Sequence, residues 1–278
     1  MPKLLSEEQI NQYHQNGFHF PIDVLDATET RDLRRRLETY ENETGEPITG
    51  AMRSKSHLVF TWVDKLIRNK QILDAVEDLI GPDVLCWTTV WWIKEKRSES
   101  FVSWHQDLRY WGLDTNDLVT VWVALSEASE ASGCMRVLPA SHQGEMLPHE
   151  DRYKETNLLT RGQEIAVDVD ETKCVSMQLK AGQASLHNVR LAHASGVNQT
   201  DDRRIGLSIH YIPPSARQTA GAWDCATLVR GEDRFGHFVS APPPHSDLHP
   251  EALAFHERAS NAFREILFKD AERVREVL

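Results

Sequence analysis

The chain has 278 residues, 40% of them hydrophobic and 26% charged, which supplies a sizeable core and excludes a disordered or low-complexity polymer. Acidic residues outnumber basic ones 42 to 31, and a net charge of −11 repels phosphate backbones, so nucleic acid is not an expected partner. The longest apolar run, 84–93, is about half the roughly 20 residues of a membrane span, and the N-terminus lacks the apolar stretch of a signal peptide. The expectation is a soluble, cytoplasmic protein with no membrane partner.

In chain order, Ser6 with Gln9 three residues later forms a capping box, Ile10 and Tyr13 supply an apolar edge, and Gly17 offers the stop of a first helix. FHFPIDVL then reads as a strand. Residues 27–40 carry Leu33, Leu37 and Tyr40 at helical spacing, with an arginine cluster on the solvated face. A further helix over 70–80 stops at Gly81-Pro82. From Val84 to Tyr211 short β-rich runs recur between turn signals: VLCWTTVWWIK, LVTVWVALSEA, CMRVLPAS, CVSMQL, QASLHNV and RRIGLSIHYI. Strands at this spacing with no helical pattern between them predict an all-β sandwich or barrel. The polar segment 143–162 interrupts them as a loop or lid. After Pro213-Pro214 the chain is irregular, then closes on an amphipathic helix over 250–278. The expected organisation is a single domain, mainly β with flanking helices. Its parts are helical support over 1–83, a β core with the chemistry over 84–213, and an irregular segment with a helix over 214–278.

Four cysteines, Cys86, Cys134, Cys174 and Cys225, lie far apart without a C-x-x-C pair, which fits reduced thiols better than disulfides or structural zinc. Six of the eight tryptophans fall between Trp87 and Trp122, a concentration that suits a pocket wall or a sheet core. Thirteen histidines direct attention to metal ligation. His-x-Asp occurs at His105/Asp107, His149/Asp151 and His245/Asp247, and the setting must choose among them. The second lies in a polar stretch and the third follows three prolines. The first lies in FVSWHQDLRYW, which alternates; on a strand, residues i and i+2 share a face, so imidazole and carboxylate occupy adjacent vertices of one metal. A third ligand from a distant strand is either His187 or His193. Two histidines and one carboxylate with open vertices is the donor set of non-heme Fe(II) oxygenases, whereas a structural zinc site takes four ligands.

These residues resemble the phytanoyl-CoA hydroxylase family of Fe(II)/2-oxoglutarate dioxygenases. His105 and Asp107 match the family's early pair in W-H-Q-D, and His193 matches its late histidine, with Ser195, Gly196 and Asn198 in the H-x-S-G-x-N context. Arg204 follows His193 by eleven residues, as in the family, while His187 is misplaced for that spacing. SGCMRVLPASH is similar to the family's N-G-C-L-x-x-x-P-G-S-H, with Ala140 for the usual Gly. The matches cover 84–213.

The resemblance implies a double-stranded β-helix (jelly-roll, cupin-like) core. It also implies Fe(II) on His105, Asp107 and His193, 2-oxoglutarate as cosubstrate, and O2 and a small molecule as partners. Hydroxylation then releases succinate and CO2. Halogenating relatives have Ala or Gly where this chain has Asp107, so hydroxylation is the expected outcome. Arg204 would pair with the distal carboxylate of 2-oxoglutarate, a bidentate role suited to guanidinium, with Ser195 beside it and Thr88 and Trp92 lining the same pocket. Arg203 points to the opposite face. Trp111, Trp122, Arg109 and Arg136 are substrate-pocket candidates, and Arg97, Arg190 and Lys94 are further cations near the motif. The substrate is expected to be an amino acid, an organophosphonate or a natural-product intermediate. Two rival readings are a non-catalytic cupin-like binding or sensing protein, which has no need of Arg204, and a zinc hydrolase, for which no general base is in view.

Overall fold

The computed structural model describes residues 2–274. Local signals set the first elements. Helix α1 (Glu7–Asn16) begins at the Ser6/Gln9 capping box and ends at Gly17, whose φ of 86° is the left-handed conformation a glycine adopts without a Cβ penalty. Strand β1 (Phe18–Asp23) follows, then α2 (Ala27–Thr44), capped by Asp26 and one turn longer than its apolar spacing predicts. Helix α3 (Thr61–Ile67), which has no cap signal in the sequence, precedes α4 (Lys70–Ile80).

The β region runs β2 (Val84–Lys94), β3 (Val102–His105), a one-turn helix α5 (Leu108–Trp111), β4 (Val119–Ala124) and β5 (Met135–Val137). It continues through β6 (His149–Asp151), β7 (Gln163–Ile165), β8 (Val175–Met177), β9 (Gln183–Asn188) and β10 (His193–Ser195). The last strands are β11 (Arg204–Ile212), β12 (Cys225–Arg230) and β13 (Val239–Ser240), before α6 (Pro250–Leu267). A seven-stranded sheet ordered β1-β9-β4-β11-β2-β12-β13 faces a four-stranded sheet ordered β3-β10-β5-β8, the two layers of the expected jelly roll.

Strand β11 organises the large sheet. Its Ile205, Leu207, Ile209 and Tyr211 are buried in the cluster shared with α2, α3 and α4, while Arg204, Gly206, Ser208 and His210 alternate onto the other face. Its pairing with β2 and β4, and that of β4 with β9, sets Thr88, His210, Thr120 and His187 in one row across four strands. At Gly206 a Cβ would lie 1.8 Å from Trp122 Cζ2, so only glycine lets that indole lie across β11.

Four expectations change. The sheet exceeds the predicted 84–213, because β1 joins it from the N-terminal side and β12 and β13 from the C-terminal side. The segment 143–162 is not all loop: β6 pairs with β7 across an eleven-residue tip. Asp107 is off the strand; β3 ends at His105, and Asp107 has helical φ/ψ (−62°, −44°) as the cap of α5. The C-terminal helix ends at Leu267, and the predicted 275–278 lies outside the described residues.

Candidate metal centre

His105 ends β3 and His193 begins β10, and the two are directly paired across the small sheet, with ring centroids 4.1 Å apart. Asp107 reaches the same point by a different route, since the turn into α5 folds its carboxylate back to 3.2 Å from His105 Nε2. One donor atom from each of the three residues lies within 4.8 Å of the others, and all three are buried.

The tautomers follow from the backbone. His105 Nδ1 donates to the Ser103 carbonyl and His193 Nδ1 to the Leu191 carbonyl, both at 2.9 Å, which leaves each Nε2 as a lone pair. Burial, then the His105 charge, pushes His193 down to about 4, so its ring is neutral at pH 7. Burial acts to raise the Asp107 carboxyl, but the His193 and His105 imidazoles outweigh it and hold the group below the usual carboxylate range. His105 Nε2 is buried without a hydrogen-bond partner and faces an ionised carboxylate. With Nδ1 committed to the backbone, both Nε2 atoms and the carboxylate turn toward one point, and this donor set fits a metal ion.

The cavity that His105, Asp107 and His193 line is also lined by Trp92, Trp122, Arg204, Ser195 and Thr88. Arg204 is buried, and its Nε and Nη2 have no hydrogen-bond partner among the described residues; the guanidinium lies 5.3 Å from the Trp122 ring centre. Burial lowers it to about 10, still charged at neutral pH. Those unpartnered N–H groups fit a carboxylate. Ala140, where the family has Gly, keeps the left-handed φ of 62°.

The other candidates divide. Trp111 lines the cavity, packed edge-on with the His210 ring at 4.5 Å between centroids. His187 also lines it, its Nδ1 unpartnered and its ring 4.9 Å from that of His193, but it is outside the three-donor cluster. Arg109 and Arg136 do not line the cavity. Arg109 is exposed, because α5 turns it outward, and Arg136 pairs with Glu171 at 2.7 Å on the outer face of the small sheet. Arg97 pairs with Asp201, and Arg190 donates to the Gly144 carbonyl. Arg203 points away, as expected, onto Glu41 and Glu95. Asp247 of the third His-x-Asp is spent on the Thr61 backbone and hydroxyl.

Sequence reasoning missed two groups. Ser208 and His210 share the inward face of β11 with Arg204, and counting by two from Arg204 would have found them; His210 bonds Thr120 Oγ1 at 3.1 Å and Ser208 Oγ at 3.0 Å. Leu158, Leu159 and Thr160 from the β6–β7 tip and Phe263 and Leu267 from α6 also line the cavity, and no local signal announces them. Arg161 ties these last two parts together, donating to the Leu267 and Lys269 carbonyls at 2.6 Å each.

The fold and the donor set define a jelly-roll oxygenase scaffold with a two-histidine, one-carboxylate centre. The pattern of the phytanoyl-CoA dioxygenase (PhyH) family matches residues 2–206, and the chain belongs to that family. It is 32% identical over 187 residues to a probable alpha-ketoglutarate-dependent hypophosphite dioxygenase of Stutzerimonas stutzeri, a match covering 64% of this chain and 64% of that protein's length. Among solved structures, the non-heme monooxygenase ThoJ in its apo form superposes with a TM-score of 0.82 at 38% identity, over 93% of this chain and 97% of that one. CytC3 with Fe(II) and alpha-ketoglutarate has the same fold, with a TM-score of 0.65 at 20% identity over 88% of this chain and 96% of its own.

Proposed function

We propose that this protein is an Fe(II)- and 2-oxoglutarate-dependent dioxygenase that hydroxylates a small-molecule metabolite and releases succinate and CO2. The observation that carries the reading is that one cavity is lined by two unlike groups. Two imidazole nitrogens and a carboxylate converge on it, and Arg204 brings N–H groups with no partner among the described residues.

His105, Asp107 and His193 would hold the iron, which when bound supplies a chelation site for the 2-oxo acid and the redox chemistry that activates O2. The Ser103 and Leu191 carbonyls fix both imidazoles in the ligating tautomer. Arg204 and Ser195 bind the distal carboxylate, while Trp92, Trp122 and Thr88 shape that channel and keep water from it. On the opposite side Trp111, Phe263 and Leu267 give the substrate an apolar wall, and Thr120, His187 and His210 give it polar contacts.

Asp107 is the sole carboxylate among the described lining residues, and Arg53 adds a cation. A quaternary ammonium therefore finds no counter-charge beyond the metal ligand, and a neutral or anionic small molecule is favoured. The relative named for hypophosphite, a small anion, is consistent with this. An amino acid, an organophosphonate or a natural-product intermediate all remain within the class. A non-catalytic sensor leaves the desolvated Arg204 without a purpose.

The deciding experiment is succinate release from 2-oxoglutarate with Fe(II) over a metabolite panel, alongside calorimetric binding of 2-oxoglutarate to the Ni(II)-loaded protein. Substrate-stimulated succinate is expected. Absence of both succinate and binding overturns the assignment.

A further inference from the structure

Lys94 ends β2 directly opposite Arg204, the first residue of β11. Residues opposed in an antiparallel pair project from the same face, so the Lys94 side chain lies on the face of Arg204, not lining the cavity itself but hydrogen-bonded to Ser195, which does. Both are buried, and neither forms an ion pair among the described residues. The Lys94 ammonium donates to Ser195 Oγ at 2.6 Å, to the Gly196 carbonyl, and to the Gly133 carbonyl at 3.5 Å. Three N–H groups meet three neutral acceptors. Two positive charges opposed here without a counter-ion are costly, so the charged form of Lys94 is favoured only when an anion arrives at this end.

The hydroxyl beside Lys94 shows how. Ser195 Oγ accepts from the ammonium, and its own proton has no acceptor among the described residues although the side chain lines the cavity. With one lone pair engaged by Lys94 and its proton uncommitted, Ser195 has an O–H to donate toward the cavity that Arg204 also faces.

We propose that Lys94 is a positioning residue for the distal carboxylate of 2-oxoglutarate, fixing the Ser195 hydroxyl as a donor and adding a second positive charge at the Arg204 end. This rests on the reading that the cosubstrate binds at Arg204. Burial, then the Arg204 charge, pushes Lys94 down to about 6. An incoming carboxylate opposes both effects and raises it, so binding at neutral to mildly alkaline pH takes up a proton. The other titratable groups facing Lys94 keep their charge there. Arg204, at about 10, stays protonated, and burial pushes the Cys134 thiol up to about 11.

The test is calorimetric titration of the Ni(II)-loaded protein with 2-oxoglutarate and with oxalate, which chelates metal but has no distal carboxylate, in buffers of different ionisation heat. Lys94→Met is expected to weaken 2-oxoglutarate by about tenfold or more, the size of one lost charge-assisted contact. Oxalate affinity stays at the wild-type level and the proton uptake disappears. Ser195→Ala weakens 2-oxoglutarate too, and the double variant falls short of the two losses added, because one residue acts through the other. Should Lys94→Met fail to fold, Lys94→Gln, which keeps an N–H donor and loses the charge, carries the same comparison. Unchanged 2-oxoglutarate affinity, or parallel weakening of 2-oxoglutarate and oxalate, overturns the role of Lys94. If Arg204→Ala also leaves 2-oxoglutarate binding intact, the underlying placement of the cosubstrate fails instead, and the two failures are read separately.

Discussion

The large and small sheets face the same cavity from differently covered backs. Behind the large sheet, Ile205, Leu207, Ile209 and Tyr211 of β11 are sealed under helices, and its longest strand runs to eleven residues. Behind the small sheet, Arg136 pairs with a half-exposed Glu171 to which the Trp104 indole also donates, and the strands are three or four residues long. The small sheet nevertheless carries two of the three proposed iron ligands. The larger buried apolar cluster lies behind one layer and two of the proposed ligands lie in the other, with Arg204, Ser208 and His210 on the inner face of the larger sheet.

This division is open to direct perturbation. His193→Ala removes a donor from the thin sheet. Fe(II)-dependent turnover and metal content should collapse by more than the roughly 10–100-fold typical of an outer-shell loss. The metal-free unfolding midpoint should stay near that of the wild type. Retained activity, or loss confined to His187→Ala, rejects the ligand set. Leu207→Ala, on the sealed back of the large sheet, should cost about 2–5 kcal/mol in denaturant unfolding, with turnover per folded molecule kept. A loss of turnover greater than the loss of folded protein shows that the layers are not separable.

Gly206→Ala probes the place where the two roles meet. The added Cβ collides with the Trp122 indole. Overpacking of this kind typically costs about 1–3 kcal/mol, and displacing the ring beneath Arg204 should also weaken 2-oxoglutarate binding severalfold. Unfolding and ligand titration on the same preparation check both; a stability loss with wild-type affinity rules out Trp122 as part of the cosubstrate wall. The smallest effect is expected at Arg161, which joins the β6–β7 tip to the end of α6. If 143–162 is a lid, proteolysis there should slow when 2-oxoglutarate and substrate are added to the inert-metal protein, and Arg161→Ala should remove much of that protection. Equal cleavage with and without ligands leaves the segment a connector.

What the sequence by itself determined was whatever depends on spacing along one chain. Apolar period and caps placed α1 and α4 to the residue, because a helix end is set by the few side chains that satisfy its own backbone. The late His193 and the Arg204 eleven residues after it were legible for the same reason: β10, the turn and β11 are nearly contiguous. The expected closeness of His105 and Asp107 is there by another route, a strand ending at His105 and a helical turn at Asp107.

Only the tertiary structure decided which cations face inward. Lys94, Arg109 and Arg136 looked alike beside the motif, yet the first is buried opposite Arg204, the second is turned out by α5, and the third holds Glu171 in solvent. On a strand, a shift of one residue moves a side chain to the other face, so its direction depends on where each strand starts and stops. The roof from the β6–β7 tip and α6 was equally invisible: its parts meet through Arg161 across about a hundred residues of chain, and such contacts arise from packing and leave no local periodicity.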